Sequence, residues 1–584
     1  MAAAQAGPSC PPAVLDNSAL QDGAVTVSPL AGSRDAPPQT QISFLGVPVG
    51  ELSQISVVGS ISGAHSGQLA AYSQGDGASF LPTRAFVEGE RVTVRARVRS
   101  DGRVESLLDE FAIAHEDRIA TTPRTIKPGS ASEAQSFHSR PELQPPVVTV
   151  TAQSPEVAGG DVFVAPYGGP GQAGPMILEP DGALVWFKAL PTHTEATNLQ
   201  VQEYEGKPVL TWWQGNITEH GFGLGEGVIA DDTYTDIEHV RAGNGLQADL
   251  HEFQLTPQGT ALITAYEPIY CDLSAVGGPE DGAVTDSVFQ EIDVKTGLVM
   301  YEWTSVDHVG LSESYEHAST SSIAWPFDFF HLNSIDPTRN GSLLISARNT
   351  WTVYELNGTS GQIAWRLGGR HPSFKMQAGT GTAWQHDPRE LASGAISMFD
   401  NGASPKEHSQ SRAIVVSVDD PPNTVTLLQR LTHTPALLAE SQGSLQALAN
   451  GDWFVGWGQE PYFSEFSPTG TLLFDAHFPV HDESYRSFRF PWSGLPAHPP
   501  VFSVQSSPGG ASVVYASWNG ATGVASWQVL AGASTSSLSV AAVAPHSGFE
   551  TAVPLPAGVT GPYLEVQALS ASGRVLGSSN PVAQ

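Results

Sequence analysis

Four short stretches share one design: Asp181-Gly-Ala-Leu-Val-Trp186, Thr296-Gly-Leu-Val-Met-Tyr301, Ser360-Gly-Gln-Ile-Ala-Trp365 and Thr469-Gly-Thr-Leu-Leu-Phe474. In each, a turn glycine is followed four positions later by an aromatic side chain. Glycine reaches the left-handed backbone that a tight turn demands, and the residues after it have the composition of a buried strand. The aromatics are separated by 115, 64 and 109 residues, which fits a repeat of about 58 if two copies have lost the mark. The strand-rich stretches Leu199 to Arg241 and His386 to Thr432 are candidates for the two silent copies. Six such copies predict an all-β fold built on a six-bladed β-propeller, whose sheets bury their faces against one another and protect their edges. A solenoid is the alternative, but the repeat is irregular and lacks the leucine ladder of a β-solenoid.

The pattern changes on both sides of this region. Residues 1–140 contain alternating runs such as Arg91-Val-Thr-Val-Arg-Ala-Arg-Val98, which put apolar and charged side chains on opposite faces of a half-buried strand. They predict an N-terminal β-sandwich-like domain with a flexible start. Pro123 to Pro146 is polar and proline-bearing and reads as a linker. The expected propeller spans residues 147–495. Evenly spaced short strands over 497–584 predict a C-terminal β-sandwich of fibronectin or immunoglobulin type.

With 584 residues, two to four domains are expected. Its 59 acidic and 27 basic side chains leave a formal charge of −32, which repels phosphate backbones and anionic lipid surfaces. Nucleic acid and membrane surfaces are therefore not expected partners, and no apolar run of bilayer-spanning length occurs. The acidic, lysine-poor composition suits a secreted or cell-envelope protein, although the start MAAAQAGPSC lacks the basic and apolar segments of a signal peptide. Cys10 and Cys271 are too few for a disulfide framework. They could pair, but two unpaired thiols are as good a reading.

Three predicted hairpins open with a histidine: His251 precedes turn Gly259, His331 precedes Gly341 and His386 precedes Gly394. Each glycine leads into an apolar strand, so each histidine stands at the open end of its hairpin. Equivalent positions of successive blades converge on one end of a central channel, which predicts that the three imidazoles face one another. Strand parity adds Asn333, two residues after His331, and the antiparallel return of the hairpin brings Arg348 to the same end. Asp400 and Asn401 return towards His386 and are candidates either to support it from behind or to form the turn; Asp-Asn-Gly is ordinary turn chemistry, so the turn reading leads. Glu252 and Asp387 follow two of the histidines, and alternation points them away from the channel. The tryptophans read as blade core.

Neutral imidazole can act as a nucleophile while guanidinium, amide and further imidazoles stabilise charge on an anionic tetrahedral group. No metal, cofactor or nucleotide is required, and no phosphate-binding glycine loop is present. Three histidines could alternatively ligate zinc in a hydrolase, without HExxH or CxxC spacing to support it. A third reading is a non-catalytic secreted propeller that binds a partner.

Several blocks over roughly residues 150–495 resemble the arylsulfotransferase family: Asp249-Leu-His251-Glu252, Phe330-His331-Leu-Asn333-Ser334-Ile335, Ser346-Ala-Arg348, Ile363-Ala-Trp365, Gln385-His386-Asp387 and Phe399-Asp-Asn-Gly402. Trp384-Gln-His-Asp387, Ser484-Tyr-Arg486 and Trp492 are similar to the branch with actinobacterial and fungal members. The resemblance implies a six-bladed propeller that moves a sulfuryl group from a phenolic sulfate ester to a phenol in two steps, without PAPS. His386 would be the nucleophile that becomes sulfurylated, with His251, His331, Asn333 and Arg348 holding the sulfuryl oxygens. The choice of His386 among the three histidines comes from this resemblance alone. The best-described bacterial members carry a disulfide within the propeller, whereas here only Cys271 falls in that region.

Overall fold

The computed structural model describes Cys10, Leu15 and residues 25–583, except 101, 128, 420, 421, 507–511 and 560. The flexible start lies outside the described residues, apart from Cys10 and Leu15. The fold is all-β, its sheets antiparallel except where the short strand Lys375–Met376 pairs in parallel with Thr424–Leu431, and no helix among the described residues is long and apolar enough to cross a membrane.

Between residues 149 and 490 the chain forms a succession of sheets. The first holds Asp161–Val164, Met176–Leu178 and Leu184–Phe187; the second Glu195–Tyr204, Lys207–Ile217, Gly223–Ala230 and Asp236–Val240. The third holds Phe253–Leu255, Thr260–Cys271, Gly282–Asp293 and Val299–Thr304; the fourth Leu332–Pro337, Leu343–Ala347, Thr352–Leu356 and Ile363–Gly368. The fifth contains His386–Glu390, Ile396–Asp400, Arg412–Asp419 and Thr424–Leu431; the sixth Ser444–Ala447, Trp453–Gly456, Tyr462–Phe466 and Leu472–His477. The turn glycines predicted from sequence have left-handed backbones, among them Gly259 (φ 80°), Gly341 (φ 83°) and Gly394 (φ 84°).

The succession closes on itself. Phe488–Phe490 pairs with Asp161–Val164 and completes the first sheet, while Thr149–Gln153 is added to the outer edge of the sixth. Around the centre, Glu195–Tyr204 touches Phe253–Leu255, and Thr260–Cys271 touches Leu332–Pro337. That strand touches His386–Glu390, which touches Ser444–Ala447, then Phe488–Phe490, which returns to Glu195–Tyr204. The arrangement is propeller-like. Aromatics fill the spaces between neighbouring sheets: Trp213 and Phe253 share one cluster, Phe289, Trp303 and Tyr354 another, and Phe399 and Trp457 a third.

Before this ring, the sheets through Ile42–Leu45 and Arg91–Ser100 enclose a core of Ile42, Phe44, Phe80, Val92, Val94 and Phe111. After it, the sheets through Ser512–Ser517 and Ser526–Gly532 enclose Val514, Trp527, Val529 and Val566. Pro123 to Pro146 is not a free spacer. Arg124 N–H donates to Ile217 O and Lys127 N–H to Gly168 O, each at 2.9 Å, so this stretch starts by running along one face of the ring. Cys10 is disulfide-bonded to Cys271, with 5.7 Å between their Cα atoms, which corrects the reading of two unpaired thiols. The pairing crosses 261 residues of sequence, a separation that local rules do not span, and Cys271 ends the long strand Thr260–Cys271, which pairs with Gly282–Asp293 along its whole length.

Candidate active site

His386 is the first residue of strand His386–Glu390, and His251 and His331 lie just before the corresponding strands of the two preceding sheets. Their equivalent positions bring them together: the rings of His251 and His331 meet edge to face at 4.9 Å, and Tyr485 packs edge-on against His251 at 5.4 Å and His386 at 6.2 Å.

His386 is 1% exposed, and its partners define its tautomer. Nδ1 faces two acceptors, Trp384 O at 3.0 Å and Asn401 Oδ1 at 2.7 Å. The Asn401 amide is oriented because its Nδ2 donates to Gln442 O and Ala439 O. Nε2 instead accepts the Gln442 backbone N–H at 3.1 Å. The proton therefore sits on Nδ1, and Nε2 carries the lone pair. Burial, then the nearby Arg348 charge and the other two histidines, push the His386 pKa well below its usual value, so the ring is neutral at pH 7.

The other two imidazoles are each held by a carboxylate. Asp249 Oδ2 accepts from His251 Nδ1 at 2.5 Å, from the His251 N–H and from the Thr264 hydroxyl, while Oδ1 accepts the Gly223 N–H. Burial alone would raise the Asp249 pKa, but His251 and these donors keep it lowered. Burial lowers the His251 pKa and outweighs the pull of Asp249. His331 Nδ1 bonds to Asp328. The His331 side chain is 12% exposed against 3% for His251, so the cluster opens on the His331 side.

Arg348 lies where the hairpin argument put it, with its N–H on His331 O at 2.9 Å. Its guanidinium covers the Trp384 ring at 4.7 Å and donates to Asn349 Oδ1 and Glu440 O. Glu316 stands 4.0 Å away. Asn333 is buried in the same region, yet its Nδ2 donates to Gln385 O at 2.8 Å and its Oδ1 has no partner. The backbone around it is irregular: His331 is left-handed (φ 59°) and the register shifts between Leu332 and Ser334.

Of the two roles left open for Asn401, it takes the supporting one and orients His386. Asp400 accepts from Arg412 at 2.7 Å and from the Ala383 N–H at 2.9 Å. Glu252 and Asp387 do not point away from the centre; they form a buried network with two arginines. Glu252 bonds to Arg486 at 2.9 Å and Arg389 at 2.6 Å, and Asp387 to the same pair at 3.1 and 2.7 Å. Asp387 escapes strand alternation through its left-handed backbone (φ 55°).

Sequence reasoning also assigned no role to Asp249, Asp328, Tyr266 and Tyr485, or to a chain of contacts behind the nucleophile. Arg124 holds Glu483 through both oxygens at 2.8 and 3.1 Å, and Glu483 accepts from Gln442 Nε2 at 2.8 Å. The left-handed Gln442 (φ 68°) then presents its N–H to His386. Among the described residues no group of His, Cys, Asp and Glu has an arrangement that could hold a metal, and the backbone donor on His386 Nε2 takes one of the three imidazoles out of a zinc site.

Residues 200–479 match the arylsulfotransferase (ASST) family model. Residues 200–479 form an arylsulfotransferase-family domain. The matched segment runs through five of the sheets and carries His251, His331, Asn333, Arg348 and His386; sulfotransferase activity in general is what such a domain supports. No curated protein matches the chain. A protein of unknown function from Bacteroides caccae matches at 13% identity and a TM-score of 0.36, over 56% of this chain and 98% of that one. A virginiamycin B lyase from Staphylococcus aureus matches at 8% identity and 0.29, over 64% and 96%. A quinoprotein alcohol dehydrogenase-like protein from Bacteroides thetaiotaomicron matches at 8% and 0.27, over 78% and 96%.

Proposed function

We propose that this protein transfers a sulfuryl group from a phenolic sulfate ester to a phenol through a sulfohistidine at His386. The supporting architecture is a six-bladed propeller over 147–495, flanked by sandwich units at 1–140 and 497–584, in a secreted or cell-envelope protein. The ring of contacts between first strands and the separate cores at either end support that division.

The observation that carries the mechanism is the single tautomer of a buried, neutral His386. In the first step its Nε2 attacks sulfur, an N–S bond forms, and the bond from sulfur to the phenolic oxygen breaks with the electron pair leaving on oxygen. Nδ1–H stays on Asn401, so the positive charge that develops on the ring meets an oriented acceptor. The Gln442 N–H, freed from Nε2, is then a donor beside the transferred group, and Arg348 offsets its charge. His331, paired with Asp328 and open to solvent, is suited to protonate the departing phenolate and recover a proton from the acceptor. Acceptor attack on sulfur breaks the N–S bond and restores neutral His386.

Exposure to 4-nitrophenyl sulfate without acceptor is expected to add the mass of one SO₃, about 80 Da for a single covalent adduct, on a peptide containing His386. Loss of the adduct when phenol is added completes the test. Unmodified His386 under conditions where nitrophenol is released excludes the two-step route. A pH profile gives a second expectation. Neutral His386 is the reactive form and its pKa is lowered, so kcat/KM is expected to hold below pH 6.5, the ordinary histidine value, and to fall only as pH drops through the depressed pKa. An acid limb centred at or above 6.5 counts against this nucleophile.

A further inference from the structure

Two series of aromatic rings border the histidine cluster, and they differ in what they leave free. In one, Tyr315 lies parallel to Trp351 at 3.6 Å, and Arg370 covers it at 4.2 Å. Trp351 meets Trp384 edge-on at 5.1 Å, and Arg348 covers Trp384. With Trp351 and Arg370 both packed on it, Tyr315 has little ring face left for a ligand.

The other series runs outward from the open side of the cluster. Tyr266 lies 5.6 Å from His331 and 5.4 Å from His251. Phe222 stacks on Tyr266 at 5.5 Å with the planes 7° apart, and His220 on Phe222 at 5.9 Å. Trp325 packs on His220 at 4.3 Å and ends the series. Phe222 and Tyr266 are buried, whereas Trp325 is 50% exposed, as is Ile323 two residues before it. An exposed indole continuous with a buried aromatic series presents one unfilled stacking face.

This end of the series is held in place. Ser322 and Trp325 exchange backbone hydrogen bonds at 2.9 and 3.0 Å, closing a tight turn that displays the indole. Three residues later the same segment supplies Asp328, which holds His331. The loop carrying His220 is fixed by its own bonds to the preceding chain, Glu219 N–H to Thr122 O and His220 Nε2 with Ala120 O, and next to it Gly221 stands close to His331. An aromatic surface anchored before ligand arrives loses little freedom on binding.

We propose that the open face of Trp325, backed by His220, is the subsite for the distal ring of a phenolic substrate with two or more linked rings, and sets selectivity for such substrates over single-ring phenols. This rests on the sulfuryl-transfer reading above. A single-ring phenol whose oxygen lies at the sulfuryl centre ends near Tyr266 and His331. Trp325 stands one layer farther out, behind His220, whose neighbour Gly221 borders His331, where the second ring of a linked substrate reaches it.

The test uses the full chain with 4-nitrophenyl sulfate as donor and phenol or 4-phenylphenol as acceptor. In Trp325→Ala the ratio of kcat/KM for 4-phenylphenol to that for phenol is expected to fall about 5- to 10-fold, the loss of one aromatic stacking contact. The change should lie in KM, and Trp325→Phe should recover most of it. An unchanged ratio overturns the proposal. A calorimetric titration with 4-phenylphenol separates this inference from the catalytic one. Weaker binding to Trp325→Ala than to wild type supports the subsite even without turnover, and equal binding overturns it. Absence of any transfer by wild type instead defeats the sulfuryl-transfer reading.

Discussion

His386→Ala is expected to lower the rate of sulfuryl transfer at least about 10³-fold, with complete loss of the adduct, because it removes the nitrogen that forms the N–S bond. The ring is buried, but the substitution removes an imidazole whose hydrogen bonds are local, so the six-sheet ring should persist. Asn401→Ala probes the same mechanism differently. It leaves the nucleophile and frees the tautomer, and a loss of about 10²-fold or more is expected from misplacing the proton. His251→Ala should weaken transfer while leaving adduct formation detectable, since the attacking nitrogen remains. Initial rates with 4-nitrophenyl sulfate and phenol, read beside intact mass, distinguish the three. Wild-type transfer by His386→Ala would remove His386 from the reaction.

The ring of sheets was legible because turn glycines and apolar strands are local signals. Gly259, Gly341 and Gly394 have the left-handed backbone that their positions implied, and of the histidines opening those hairpins His251 and His331 meet, while Tyr485 packs on both His251 and His386. Periodicity failed where the backbone leaves regular strand geometry. At Asp387 the left-handed backbone defeats the alternation that pointed its side chain away, and His331 is left-handed too. Asn401 was ranked first as a turn former for another reason. Its sequence context satisfies a turn, and its role depends on Gln442, forty-one residues later, holding its amide. Arg486 and Tyr485 come from the segment that closes the ring, 234 residues from Glu252, a separation no local rule spans. The Arg124 to Glu483 pair is more distant still at 359 residues.

The charge network beneath the histidines is expected to dominate stability. Glu252 and Arg486 are fully buried, Asp387 nearly so, and Arg389 closes the set from the side. Two carboxylates face two guanidiniums, and further donors go to backbone carbonyls: Arg486 reaches Asn333 O at 2.9 Å and Arg389 reaches Ile335 O at 2.8 Å. Arg486→Met leaves both carboxylates with Arg389 alone, and loss of one partner from a buried ion set costs about 3–5 kcal/mol. Chemical and thermal unfolding followed by tryptophan fluorescence should show that loss. A change below about 1 kcal/mol, the size typical of exposed pairs, would mean that water screens the set. The double variant Glu252→Met with Arg486→Met removes one charge of each sign and leaves Asp387 with Arg389, so it should be less destabilised than the two single changes added together. Acid supplies an independent check. Burial works against ionised Glu252, but Arg389 and Arg486 overcome it and hold its pKa below the carboxylate value of 4.5. Its contribution is therefore present above pH 4.5 and lost as pH falls through the lowered pKa, a loss that should vanish in Glu252→Gln because no carboxylate remains to be protonated.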